Sequence, residues 1–163
     1  MNQEQQFIAA ISAHRAILFK VASLYTDHPS DREDLMQEMI YQLWKSFDSF
    51  SGKAQLSTWM YRVAMNTAIY QVKRKRRKPQ LLPFSRSHPE PIQDDPNPLD
   101  EQWLLLQQHL QTLNPMEKSL ILLHLEKKSY REIAEITGLS ETNVGTRLSR
   151  VKQKIQASLS TES

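Results

Sequence analysis

Residues 129–152 read SYREIAEITGLSETNVGTRLSRVK. Ser129 followed three residues later by Glu132 is a capping box: each side chain accepts the backbone N–H of the other residue, so a helix starts here. Ile133, Ala134 and Ile136 fall on one face of that helix. It is brief, because Gly138 follows Thr137 where a left-handed residue ends a helix. Leu139 then points back into the core and Ser140 caps a second helix, in which Val144, Leu148 and Val151 recur at helical spacing. Small Ala134 lets the two helices cross closely. Two short helices joined by a tight turn of this kind make a helix-turn-helix.

The second helix leaves Thr142, Asn143, Gly145, Thr146, Arg147, Ser149 and Arg150 outward. Hydrogen-bonding and cationic groups on such a face suit phosphates and the base edges of the major groove, where Arg reads guanine and Asn reads adenine. Thr142, Asn143, Thr146, Arg147, Ser149 and Arg150 are therefore the candidate duplex contacts. The bland alternative is a helical hairpin with a solvated basic face. Gly145 stands apart, since a glycine inside a helix costs roughly 1 kcal/mol against alanine. Either backbone approaches DNA closely there or the helix is weaker.

Outward from this motif, the 163 residues suit two small domains rather than one large core. Gly is scarce at three, and strand-like alternation is nearly absent, so the fold expected is all-α: two small helical bundles joined by a Pro-rich linker. Six of the eight prolines fall between Pro79 and Pro98, with Glu90, Asp94 and Asp95 among them and no helical period. The expected division is residues 1–78, a linker over 79–98, and residues 99–163. As a coil the linker spans about 25 Å on average and at most roughly 66 Å, so the two bundles can sit well apart on one target.

In the N-terminal bundle the pattern predicts a first helix over Gln3 to Tyr25, burying Phe7, Ile8, Ile11, Leu18, Val21 and Tyr25. A second, capped by Ser30 with Glu33, carries Leu35, Met39, Leu43, Trp44 and Phe47 on its apolar face. Asp48 to Leu56 reads as a loop around Gly52, and Ser57 as the cap of a helix from Thr58 to Lys78. That helix ends in Lys-Arg-Lys-Arg-Arg-Lys, which supplies much of the excess of twelve Lys or Arg over seven Asp or Glu in residues 1–78. Beyond the linker, helices are expected over Leu99 to Leu113 and from Pro115 to Leu125.

A helix bearing Trp59, Tyr61, Arg62 and Asn66, beside a loop with Phe50 and Lys53 and leading into Lys73, Arg74, Arg76 and Arg77, offers aromatic faces, hydrogen-bonding groups and a positive track. Surfaces of that composition hold single-stranded DNA. Trp59 reads equally as a core residue, whereas Trp44 reads as core. The basic run also complements its own helix dipole, although its charge density favours phosphate.

These residues together resemble the extracytoplasmic-function group of bacterial sigma factors. Asp31-Arg-Glu-Asp-Leu-Met-Gln-Glu, Trp44, Asp48-Ser-Phe-Ser-Gly and Ser57-Thr-Trp-Met-Tyr-Arg-Val-Ala-Met-Asn look like sigma region 2, and Leu113-Asn-Pro with the helix-turn-helix looks like region 4. The resemblance implies a transcription initiation factor whose region 2 melts and reads the minus-10 element, with a flipped base held near residues 50–56, and whose region 4 reads the minus-35 element. It also implies that Asp34, Gln37, Glu38 and Gln42 dock on the beta-prime subunit of core RNA polymerase. Leu120, Leu123 and Leu125 are then either core or a contact with the beta flap. An anti-sigma factor is implied as a further partner, and regions 1.1 and 3 are expected to be lacking, as in this group.

Other classes find less in the residues. With no cysteine there are no disulfides, thiol nucleophiles or Cys-based zinc sites, and a soluble cytoplasmic chain without membrane insertion is expected. The five histidines are scattered, and no phosphate loop or nucleophile elbow is visible, so neither an enzyme nor a cofactor is expected. Asp31, Glu33 and Asp34 sit at a helix N-terminus, where acidic residues are favoured without a metal. The alternative to an initiation factor is a stand-alone helix-turn-helix regulator with an N-terminal interaction domain, which has no reason to carry the loop and aromatic helix from Phe50 to Asn66.

Overall fold

Asn2 accepts the Gln5 N–H at 2.8 Å and caps the first helix of a computed structural model that describes residues 2–50, 52, 55–77, 105 and 107–160. The expectations for Lys53, Lys78, the linker over 79–98 and positions 99–104 and 106 of the helix over 99–113 lie outside the described residues. The helices are α1 (Gln3–Ala13), α2 (Arg15–Tyr25), α3 (Pro29–Ser46), a 3₁₀ turn (Phe47–Ser49), α4 (Leu56–Arg77), α5 (Pro115–Leu125), α6 (Tyr130–Thr137) and α7 (Glu141–Ser160). Residues 107–110 are also helical, and no strand occurs among the described residues. The fold is all-α, as the sequence predicts.

The first helix is two helices. The chain bends by 62° at His14, whose φ of −123° leaves the helical region, while its N–H is shared between the Ala10 and Ile11 carbonyls. Neither Gly nor Pro marks the break. The bend turns Phe7 onto the edges of Trp44 and Phe47, at 5.0 and 5.3 Å between ring centroids, and leaves Ile8 exposed against expectation. No single helix among the described residues is long and apolar enough to cross a membrane.

Two caps also differ. Pro29, with its φ fixed near the helical value, takes the first position of α3, so His28 and not Ser30 is the cap. Helix α4 begins at Leu56, its first turn closed by the Trp59 N–H on the Gln55 carbonyl at 3.1 Å, so Ser57 lies inside it rather than before it.

Helices α2, α3 and α4 pack on one another through Leu18, Val21, Met39, Leu43, Met60 and Ala64, none of which retains solvent contact. Each such large side chain contributes about 1.5–3 kcal/mol. Leu120 and Leu123 of α5, Ile133 of α6 and Val144, Leu148 and Val151 of α7 form the same kind of core in the C-terminal half. Leu120 and Leu123 are thereby core, while Leu125 is exposed.

The two halves touch. Helix α4 packs on α5 and α6, and α2 on α5. Lys20 pairs with Glu126 at 2.6 Å, the Tyr25 hydroxyl donates to the Pro115 carbonyl at 2.7 Å and meets the Ser119 hydroxyl, and Gln107 donates to the Ser23 carbonyl. Burial pushes the Tyr25 hydroxyl well above its ordinary pKa despite the Ser119 hydrogen bond, which keeps it a neutral donor. A linker long enough for separation therefore joins halves that are docked.

Candidate nucleic-acid interface

The local chemistry read from residues 129–140 is present atom for atom. Ser129 Oγ accepts the Glu132 N–H at 3.1 Å and Glu132 Oε1 accepts the Ser129 N–H at 3.1 Å. The Ser129 N–H, with help from the Ser129 hydroxyl, holds the Glu132 carboxyl below the usual carboxylate range. Gly138 ends α6 with φ +81°, and its N–H reaches the Ala134 carbonyl at 2.9 Å. Ser140 Oγ accepts the Asn143 N–H at 3.1 Å and starts α7. A side chain at Gly138 would meet nothing, so the backbone angle alone requires glycine there.

With Val144, Leu148 and Val151 fully buried, the opposite face of α7 presents Thr142, Thr146, Ser149 and Arg150 to solvent. Asn143 and Arg147 are partly buried at one flank of that face, where Arg147 Nε donates to Asn143 Oδ1 at 3.2 Å. Arg147 also lies close enough to Glu117 to stabilise its carboxylate. Partial burial opposes that ionisation, but the Asn114 N–H, Lys154 at 2.7 Å and Arg147 outweigh it and lower the Glu117 pKa. Arg147 is thus tethered on two sides, and Arg150 is the less constrained cation of the six candidates.

In the N-terminal half the candidates divide. Trp59 is 7% exposed, packed on Phe47 and Phe50 at 5.9 and 5.1 Å between centroids, so of its two readings the core one holds and it offers no face to a ligand. Phe50 is partly buried against it. Trp44, expected in the core, is 43% exposed at the edge of the same cluster. Tyr61 is 3% exposed, contrary to a role as an available aromatic face in the docked form: Lys128 of the C-terminal half lies over its ring at 5.5 Å and Glu126 is nearby. Burial, with the Glu126 charge, raises the Tyr61 pKa well above its ordinary value.

Arg62, partly exposed, donates from Nε to the Glu135 carbonyl of α6 at 3.1 Å, and Lys128 also donates to Ser57 Oγ at 3.4 Å. Asn66, Lys73, Arg74, Arg76 and Arg77 are exposed. Arg62, Asn66, Lys73 and Arg77 share one face of α4, and the gap between Asn66 and Lys73 is filled by Tyr70, which is 64% exposed. This stripe runs roughly 22 Å along the helix. The residue missed in the sequence is Tyr70, and steps of three and four residues from Arg62 through Asn66 and Lys73 to Arg77 give the signal that finds it. An exposed ring between an amide and guanidinium groups can stack on an unpaired base while the cations follow the backbone.

On α3, Asp34 and Gln37 are exposed, and Glu38 and Gln42 are partly buried and joined by a 3.0 Å hydrogen bond from Gln42. Asp34 and Gln37 lie on the polar side of α3, whereas Glu38 and Gln42, three and seven residues after Leu35, flank the buried face of Leu35, Met39 and Leu43.

Residues 10–78 match the Sigma-70 region 2 family, and residues 103–155 match the family of Sigma-70, region 4. The chain is 29% identical to the ECF RNA polymerase sigma factor SigG of Mycobacterium tuberculosis, over 92% of this chain and 48% of SigG, and so spans about half the length of that relative. It is 31% identical to the RNA polymerase sigma factor YlaC of Bacillus subtilis, over 82% of this chain and 80% of YlaC. Among solved structures it is similar to the sigma factor RpoE of Bartonella quintana in complex with the anti-sigma factor NepR, with a TM-score of 0.68 and 22% identity over 98% of both chains.

Proposed function

Since the chain belongs to the extracytoplasmic-function group of the sigma-70 family, we propose that it is a transcription initiation factor that binds core RNA polymerase and directs it to specific promoters. In this reading residues 1–78 read and melt the minus-10 element and residues 99–163 read the minus-35 element as duplex. The observation that carries it is the pairing, in one chain, of a helix-turn-helix with an open polar face and an α4 stripe with an exposed ring and cations. One surface suits base pairs and the other suits an unpaired strand.

Thr142, Asn143, Thr146, Ser149 and Arg150 contact the minus-35 element, with Arg147 at its flank on phosphate. Phe50, Lys53, Tyr61, Arg62, Asn66, Tyr70, Lys73, Arg74, Arg76 and Arg77 serve the minus-10 element, Tyr61 only after the C-terminal half moves away from α4. Asp34, Gln37, Glu38 and Gln42 dock on polymerase. An anti-sigma factor is a further partner, supported by the fold shared with a sigma factor solved with one bound. The protein acts in the cytoplasm as a non-catalytic subunit.

The test is run-off transcription with core bacterial polymerase and a promoter selected from the protein's own genome. The chain is expected to direct initiation at one defined start site and to bind the promoter poorly without core. Absence of initiation with core present overturns the reading.

A further inference from the structure

Glycine at position 145 is the one feature of the recognition helix that DNA binding by its outward side chains leaves unexplained. It lies in the N-terminal part of α7, in ordinary helical conformation, where alanine is the better helix former. The structure shows what occupies the space. A β-carbon at 145 would stand 3.3 Å from Cε2 and 3.7 Å from Cδ2 of Tyr130. The first of these is closer than most β-carbon contacts, so a methyl group there would push the ring aside by a few tenths of an ångström, and the glycine is the seat of the Tyr130 ring.

Tyr130 is the first residue of α6, held in place by the Ser129 and Glu132 cap, and 42% of its surface stays exposed. A helix-turn-helix sets the N-terminal residues of its second helix against base edges while its first helix crosses the backbone. The Tyr130 ring is therefore carried by the crossing helix but stands against the reading helix. Around α7, position 145 lies beside Thr142 and Ser149 and opposite the Asn143 and Arg147 flank, so the ring borders the exposed face on the side those two residues leave open.

We propose that Tyr130 is a specificity-determining residue of minus-35 recognition, its ring seated on Gly145 and supplying the apolar contact that recognises a thymine methyl at one position of the element. This rests on the function proposed above. Thymine is the base with an apolar group in the major groove, and an aromatic edge is a fitting partner for it.

The experiment uses the full chain with core polymerase on a promoter library randomised in the upstream element, with the minus-10 element fixed. The parent is expected to prefer thymine at one upstream position. Tyr130→Ala should lose that preference by at least about five-fold while keeping preferences elsewhere. Tyr130→Phe, which keeps the ring, should retain it. Gly145→Ala should push the ring aside by a few tenths of an ångström and weaken the same preference, with a melting temperature equal to or above the parent's. Weaker base preference at a single position in a chain that is no less stable is a readout that a packing role would not move. If Tyr130→Ala or Gly145→Ala keeps every upstream preference of the parent, or Tyr130→Phe loses the thymine preference, the inference is overturned and the initiation reading stands. If the parent with core initiates nowhere in the library, the initiation reading fails and this inference falls with it.

Discussion

Reversing the charge of Glu126 should loosen the contact between the two halves. Its carboxylate meets Lys20 Nζ at 2.6 Å, with the two side chains 37% and 27% exposed, so solvent screens the pair and its loss costs at most about 1 kcal/mol. A lysine at 126 adds repulsion from Lys20 and from nearby Lys128. At an effective dielectric between those of water and a protein surface this is about 1 kcal/mol more once the side chains move apart. The sum, about 2 kcal/mol, corresponds to roughly a thirty-fold shift from docked to separated halves. Because the chain has no native cysteine, dyes can be placed cleanly at Ser12→Cys and Gln153→Cys, both on exposed positions. Single-molecule energy transfer then reads the ratio of the two states. Glu126→Lys should raise the separated fraction and added salt should raise it in the parent, while Lys20→Glu combined with Glu126→Lys should restore most of the docked population. A docked fraction unchanged by Glu126→Lys, or a double variant no closer to the parent than the single one, would refute an electrostatic contribution to docking.

Tyr70→Ala should weaken binding of the single-stranded minus-10 element by about 1–3 kcal/mol, measured as open-complex stability, and leave urea stability within about 0.5 kcal/mol. Gly138→Ala should destabilise the fold by about 1–2 kcal/mol in urea denaturation, because an L side chain must then adopt φ +81°. The lowered Glu117 pKa gives stability that is fully present above its unfolded value near 4.5 and disappears as pH falls through the lower folded value. Urea midpoints from pH 6 to 3 should therefore fall less steeply in Glu117→Gln than in the parent.

What could be read from the residues alone follows the range of the interactions. The box of Ser129 with Glu132, the Gly138 stop and the Ser140 cap are bonds between residues a few positions apart, so sequence order nearly determines them. The burial of Val144, Leu148 and Val151 needs only the helical period. The bend at His14 carries no Gly or Pro signal, and the contacts that accompany it, Phe7 on Trp44 and Phe47, come from residues some forty positions away. Trp59 could not be assigned from sequence for the same reason: its partners Phe47 and Phe50 come from the loop ahead of α4, and only the assembled cluster buries it. At the head of α3 a local rule was legible but a stronger one stood beside it, since Pro29 fixes φ whereas Ser30 with Glu33 offers only hydrogen bonds. Docking of the halves, which covers Tyr61 and engages Arg62, depends on pairs such as Lys20 with Glu126 that no period or motif connects.

That docking affects the two candidate DNA surfaces unequally. Thr142, Thr146, Ser149 and Arg150 are open to solvent as the chain stands, and so is the α4 stripe from Asn66 to Arg77. The Arg62 end of the stripe is covered, and what covers it is α6, the first helix of the helix-turn-helix. Arg62 can release the Glu135 carbonyl by rotating its side chain, whereas uncovering the buried Tyr61 ring beneath Lys128 takes a movement of the C-terminal half away from α4. The motion that completes one surface also changes the distance between the two. In the proposed function this couples strand capture to promoter spacing: a duplex that holds the recognition helix at the right separation from α4 also holds Tyr61 uncovered.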